Sequence, residues 1–110
     1  MIESGRVLLP VADVERALRF YIERLGVKLI ASPAGTTRLD LGGGFEVELM
    51  PGTGSARLAL QVRGDFEEAI GTYENRGLVL QRGQGPTGTY AECTDLDGNV
   101  LHFESPPLSP

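Results

Sequence analysis

Apolar and polar residues alternate along several short segments, and each such segment predicts a β-strand with one buried face. In the opening segment Val7, Leu9 and Val11 form the apolar set, and in a later one Leu58, Leu60 and Val62 do so. Glycine-rich turns separate the segments. Besides these two opening strands, the pattern predicts strands over residues 27–31, 37–41, 45–50, 78–81, 89–94 and 100–104.

Two other segments space their apolar residues with the period of a helix. Asp13 and Asp65 precede them and are expected to cap the helices, while Gly26 and Gly77 are expected to end them. The buried stripes are predicted to be Val14, Ala17, Leu18, Tyr21 and Leu25 in the first helix, and Phe66, Ala69, Ile70 and Tyr73 in the second.

The order of these elements occurs twice, which indicates an internal duplication. Residues 6–21 match residues 57–73 class for class once a residue is inserted after Val62, and residues 44–49 match residues 98–103. The chain is thus predicted to be one α+β domain, residues 1–110, of two tandem βαβββ modules. The modules are expected at residues 6–51 and 57–105, followed by a tail at residues 106–110.

In each module one face of the sheet is expected to pack under the helix, which leaves the other face open. Alternation turns Arg6, Glu48, Arg57 and His102 toward the open faces, at matching positions of the two repeats. Gln61 shares the open face with Arg57, and Tyr90 either lines a pocket or packs as a strand aromatic. The alternative is a merely solvated face, which we prefer for Glu46 and Glu104.

Composition excludes several classes of function. Fifteen acidic against ten basic residues give a net charge of −5, and the scattered basic residues argue against binding nucleic acid. No apolar run approaches the length of a membrane span and no signal-type segment is evident, so a cytoplasmic location is expected. Cys93, the single cysteine, is expected to be a buried strand residue, and a nucleophilic role would need His102 beside it.

The run at residues 83–88 fits the dinucleotide-binding spacing G-x-G-x-x-G. Pro86 and the strand-like residues behind it disfavour the helix that a bound phosphate would need. The run is therefore interpreted as a flexible loop between two strands.

Two segments carry a resemblance to a known family. Residues 11–26, VADVERALRFYIERLG, and residues 95–104, DLDGNVLHFE, resemble signatures of the vicinal oxygen chelate superfamily. That group includes glyoxalase I, bleomycin-resistance proteins and extradiol dioxygenases. The resemblance implies paired modules that curl into an open cup, usually completed or stabilised by a homodimer.

The resemblance also implies four metal-ligand positions, which in this chain are Arg6, Glu48, Arg57 and His102. Glu48 and His102 are acceptable ligands, but a guanidinium has no lone pair and repels a divalent ion. We therefore expect no cofactor and a charge-lined pocket in place of the metal site. The alternative is a bound Ni, Zn, Mn or Fe ion, for which a shifted strand register or additional ligands from Glu46 or Glu104 would complete the site.

Two classes of function follow. The first is a binder of a small anionic or oxygen-rich molecule, in which Arg6, Arg57, Gln61 and Tyr90 contact the ligand. The second is an enzyme of the lyase, isomerase or dioxygenase type, either metal-dependent through Glu48 and His102 or metal-free with His102 as the base. Whether the protein is an enzyme is left open.

Overall fold

The computed structural model describes residues 1–30, 36–86 and 88–105. The chain divides into two compact units, here called the first module (residues 1–56) and the second module (residues 57–110). The predicted tail and Ala31, the end of one predicted strand, lie outside the described residues. The elements are β1 (Val7–Val11), α1 (Val14–Phe20), β2 (Lys28–Ile30), β3 (Thr37–Gly42), β4 (Phe45–Pro51), β5 (Arg57–Gln61), α2 (Phe66–Asn75), β6 (Gln81–Gly85), β7 (Gly88–Thr94) and β8 (Val100–Glu104).

Each module contains a four-stranded mixed sheet, and the two sheets have the same topology. The strand orders are β1-β4-β3-β2 and β5-β8-β7-β6, with the first pair of each sheet parallel and the other pairs antiparallel. A parallel pair needs a crossover connection, and α1 or α2 is part of it in each module. The predicted α+β class and the tandem βαβββ modules are therefore confirmed.

Both helices begin at the predicted aspartates. Oδ1 of Asp13 accepts a hydrogen bond from the backbone N–H of Arg16 at 3.2 Å, and Oδ1 of Asp65 accepts one from that of Glu68 at 2.9 Å. Helix α1 continues as a π-helical turn over Tyr21–Leu25, which ends at Gly26 with φ of 73°. Glycine suits this left-handed conformation because it has no Cβ.

The predicted alternation places the apolar residues of the strands in the cores. Leu9, Val11, Val47 and Leu101 are fully buried, and Tyr73 of α2 stacks on Phe103 of β8 with ring centroids 4.9 Å apart. Hydrophobic contact between each helix and its sheet is the main source of stability for such a module.

The prediction for β6 was wrong. The apolar Leu78 and Leu80 suggested a strand over residues 78–81, but they are buried in the connection after α2 and the strand spans Gln81–Gly85. Alternate burial also occurs in an extended connection, so the pattern alone could not separate the two cases. The flexible-loop interpretation of residues 83–88 was also wrong, since β6 pairs with β7 as far as Gly85 and Gly88. A strand and not a helix follows the run, as predicted.

Candidate functional site

The turn between β7 and β8 determines where His102 lies. Asp95 is buried, and its Oδ1 accepts hydrogen bonds from the backbone N–H groups of Asp97 and Asn99 at 2.8 and 2.9 Å. Its Oδ2 accepts a third, from Nδ2 of the fully buried Asn99, at 2.8 Å. Part of the D-x-D-G signature is therefore structural: it fixes the start of β8, and strand alternation then turns His102 to the open face.

On the open face of the second module, a glutamate that sequence reasoning missed joins two predicted residues. Glu92 of β7 lies directly opposite His102 of β8 in the strand register. Its Oε2 lies 2.6 Å from Nδ1 of His102 and also accepts a hydrogen bond from Nη2 of Arg57. Arg57 and His102, both predicted to lie on the open face, thus meet through Glu92. Glu92 stands two residues after Tyr90 on the same strand and therefore shares its face, which was the signal that could have found it.

The other imidazole nitrogen faces a second carboxylate. Nε2 of His102 lies 3.4 Å from Oε2 of Glu104, two residues along the same strand and on the same face. Glu104 had been assigned to a merely solvated face. It is half-buried, with 26% of its side chain exposed, and it belongs to the polar cluster around His102.

Tyr90 supplies an aromatic wall beside this cluster. Its ring packs against the imidazole of His102 with centroids 4.8 Å apart and an interplanar angle of 30°. On the neighbouring strand its partner is Gly83, where an added Cβ would lie 2.4 Å from the ring. The absence of a side chain at residue 83 therefore leaves room for the tyrosine ring.

These side chains line a concave pocket with a volume of about 260 Å³. We call it the second-module pocket; its lining consists of Arg57, Tyr90, Glu92, His102 and Glu104, together with Gly85, Pro86 and Gly88 of the β6–β7 hairpin. Gln61, a predicted ligand contact, is exposed at the end of β5, in register with Glu104, and is not part of this lining.

The equivalent cluster of the first module is organised differently. Nε of Arg6 donates a hydrogen bond to Oε1 of Glu48 at 2.8 Å, so two residues predicted for the open face are paired. Arg38 of β3, which sequence reasoning missed, places its Nε 3.5 Å from the same oxygen. Only 9% of the Glu48 side chain is exposed. Two arginines therefore enclose one buried carboxylate.

Cys93 lies on the opposite face of β7 from Glu92 and is in register with Leu101, whereas Glu92 is in register with His102. Burial, with a smaller contribution from the charge of Asp95, raises the pKa of the Cys93 thiol to about 11. The thiol is therefore protonated at neutral pH and points away from His102, so a nucleophilic Cys93–His102 pair is not formed.

Two of the four positions at which the resemblance implies metal ligands carry arginines, which repel a divalent cation. Arg6 and Arg57 offer no lone pair, and Glu48 already accepts a charge-assisted hydrogen bond from Arg6. Nδ1 of His102 is engaged by Glu92, which leaves Nε2 as the ring nitrogen that faces the pocket. Among the described residues, no group of three or more His, Cys, Asp or Glu side chains is arranged to hold a metal ion.

Comparison with known proteins gives structural relatives along nearly the whole chain. TnmS3, an antibiotic binding protein from Streptomyces sp. CB03234, is 28% identical, with 96% of this chain and 98% of that chain covered and a TM-score of 0.80. A glyoxalase/bleomycin resistance protein from the same Streptomyces strain is 27% identical over 91% and 99% of the two chains, with a TM-score of 0.72. No family model and no curated protein matches.

A further structure, from Sphaerobacter thermophilus, is described as a member of the glyoxalase/bleomycin resistance protein/dioxygenase superfamily. It is 22% identical over 96% and 98% of the two chains, with a TM-score of 0.78, and supports the fold. The chain is thus a two-module βαβββ protein of the vicinal oxygen chelate type. Its fold is that of the glyoxalase/bleomycin resistance/dioxygenase superfamily, whose signatures its two sequence segments resemble. Within the described ranges, no helix is long and apolar enough to span a membrane.

Proposed function

We propose that the protein binds a small, oxygen-rich organic molecule in the second-module pocket, without a resident metal ion. The observation that carries this proposal is the convergence of Arg57 and His102 on one oxygen of Glu92 beside a cavity of about 260 Å³. A concave site with a few converging polar groups and an aromatic wall is typical of small-molecule sites.

Arg57 supplies hydrogen-bond donors for the oxygen atoms of a ligand. A guanidinium has five N–H groups, and in Arg57 the Nη2 group donates a hydrogen bond to Glu92. Because 64% of the Arg57 side chain is exposed, its other N–H groups are accessible to a carboxylate, carbonyl or phenolate oxygen. The ring of Tyr90, tilted by 30° against the imidazole of His102, provides an aromatic wall for an unsaturated ligand.

The comparisons support a binding role of this kind. TnmS3, whose fold is similar over nearly the whole chain, is an antibiotic binding protein. By analogy, we propose that this chain also retains a ligand without transforming it. The homodimer implied by the superfamily stays a prediction.

The alternative function is a metal-dependent lyase, isomerase or dioxygenase that uses Glu48 and His102. Two arginines at the ligand positions oppose it, since each would repel the ion and donate no electron pair. Metal analysis of protein purified without chelator tests the choice. We expect well under one equivalent of Ni, Zn, Mn or Fe; a stoichiometric metal would favour the enzyme.

A ligand screen tests the binding proposal directly. A thermal-shift screen with organic acids and planar antibiotics is expected to find compounds that raise the melting temperature. Arg57→Ala should abolish that shift, whereas Arg63→Ala, an exposed arginine outside the pocket lining, should preserve it. A shift that survives Arg57→Ala unchanged would remove Arg57 from the site.

A further inference from the structure

The hydrogen bonding of His102 determines what the second-module pocket offers to a ligand. Nδ1 lies 2.6 Å from the carboxylate of Glu92, and an ionised carboxylate can only accept. Nδ1 therefore carries a proton. In the neutral imidazole, Nε2 is then the acceptor and presents its lone pair.

In that neutral form, the lone pair of Nε2 lies beside a second acceptor. Nε2 is 3.4 Å from Oε2 of Glu104, and across the described part of the chain no arginine or lysine nitrogen lies within 4.0 Å of the Glu104 carboxylate. Two neighbouring acceptors are complementary to a group that carries several hydrogen-bond donors, and an ammonium has three. We call His102 Nε2 and the Glu104 carboxylate the donor-binding subsite.

The charge and the aromatic wall of the pocket favour the same kind of group. One arginine faces two glutamates in the lining, and this arginine already contacts Glu92. The ring of Tyr90 lies tilted against the imidazole of His102, so one side of the subsite is aromatic. A cation near the face of such a ring is attracted by its quadrupole.

We infer that the donor-binding subsite takes the protonated amine of an organic ligand, while Arg57 binds an oxygen atom of the same molecule. This inference rests on the proposed function and narrows its ligand class to amines that also carry an oxygen acceptor. Glu104 becomes the residue that distinguishes an amine from a simple organic acid. The competing arrangement is a doubly protonated His102, whose Nε2–H would donate to Glu104 and fill the subsite.

The experiment uses three probes of similar shape and different charge, each with an ether oxygen as acceptor for Arg57: 2-phenoxyethylamine, 2-phenoxyethanol and 3-phenoxypropionate. Because His102 is the only histidine, its imidazole C–H signals report binding at this one position in proton NMR. We expect the amine to shift these signals at lower concentration than the alcohol, and the alcohol at lower concentration than the acid. Glu104→Gln should weaken the amine about tenfold and leave the alcohol within about twofold, since a charge-assisted hydrogen bond is lost.

Glu46→Gln is the matched control, because it removes the same charge from the first module, outside the pocket lining. It should leave all three titrations unchanged. Circular dichroism checks that both variants are folded, and a second variant, Glu104→Asp, keeps the charge and should retain part of the preference for the amine.

Two results overturn the inference and separate it from the proposed function. In the first, the alcohol or the acid binds and Arg57→Ala weakens that binding, but the amine binds no more tightly than they do, or its affinity is unchanged by Glu104→Gln. The inference then fails, while the proposed binding pocket is retained. If none of the three probes shifts the His102 signals at millimolar concentration, and no compound of the wider screen does, both fail.

Discussion

The two modules carry different charges at equivalent positions on the same framework. In the first, Arg38 of β3 lies opposite Glu48 of β4; in the second, Glu92 of β7 lies opposite His102 of β8. The first module thus directs two arginines at one carboxylate. The second places a carboxylate between an arginine and an imidazole.

The two clusters also differ in how far their side chains are exposed to solvent. Only 9% of the Glu48 side chain is exposed, against 27% for Glu92 and 21% for His102. A buried carboxylate held by arginines is a closed arrangement, and removing one partner leaves an uncompensated charge. The cluster of the second module borders a pocket and keeps donors and acceptors accessible. Equivalent positions of one duplicated fold therefore serve stability in one module and, we propose, binding in the other.

The largest expected effect concerns the turns that precede β4 and β8. Asp95→Ala removes three hydrogen bonds inside a buried turn and should lower the free energy of unfolding by about 3 kcal/mol. Asp40→Ala is the comparison in the first module, where Asp40 lies before the turn into β4 and its Oδ1 accepts one exposed hydrogen bond from the backbone N–H of Gly42. It should cost under about 1 kcal/mol. Urea denaturation measures both, and equal losses would contradict the contrast between the turns.

The next prediction replaces the residues at the equivalent positions 48 and 102 with the same neutral residue, glutamine. Glu48→Gln leaves Arg6 and Arg38 without their anion and should destabilise the protein by about 2 kcal/mol, a value reduced because Arg6 is 37% exposed. It should leave ligand binding to the second module unchanged. His102→Gln should cost under about 1 kcal/mol and abolish binding.

Denaturation and calorimetric titration of the same two variants separate stability from binding. Loss of binding in Glu48→Gln, with His102→Gln still competent, would assign the ligand to the first module. A variant that lost both properties together would contradict the division of roles between the clusters.

Much of the framework could be predicted because its causes are local in the sequence. Asp13 and Asp65 cap helices through their own backbone neighbours, and alternation in β8 assigns Leu101 and Phe103 to the core. Because the two modules are repeats, an element predicted in one module also predicted its equivalent in the other. Residues with a face fixed by strand parity, such as Arg57 and His102, were found for the same reason.

The rest of the site depends on cross-strand register, which a sequence does not display. Arg38 and Glu92 become partners of Glu48 and His102 only because β3 and β7 pair in one particular register. Glu104 was taken as a solvated residue because parity cannot show which groups stand beside it. The strand β6 was misplaced because Leu78 and Leu80 alternate in burial without pairing.

A smaller effect follows from Cys93, whose equivalent in the first module is the non-ionising Leu39. Burial raises the pKa of this thiol from 9.0 to about 11 in the folded protein. Between these values the unfolded chain releases the proton while the folded chain keeps it. The stabilisation that comes from keeping this thiol protonated is therefore fully present below pH 9 and is lost as pH rises toward 11. Two pKa units correspond to about 2.7 kcal/mol, and partial solvent screening reduces the expected loss to about 2 kcal/mol.

Comparison with Cys93→Ala isolates this effect, because the other titrating groups are common to both proteins. The difference in unfolding free energy between the two should decrease as pH rises from 9 to 11. A difference that stays constant with pH would mean that the thiol ionises equally in both states.

The smallest effect tests the wall of the pocket through Gly83. An added Cβ there would lie 2.4 Å from the Tyr90 ring, so Gly83→Ala should force the ring to rotate and disturb its stacking on His102. We expect binding of a pocket ligand to weaken by a few-fold, or under about 1 kcal/mol, while Arg57 and Glu92 keep their contact.

Gly71→Ala is the matched control, because its Cβ meets nothing within 4 Å on α2. It should leave binding unchanged and stabilise the helix by up to about 1 kcal/mol. Unaltered binding in Gly83→Ala, with the His102 NMR signals displaced, would show that the aromatic wall moves without contributing to recognition, and the site would then reduce to its charged residues.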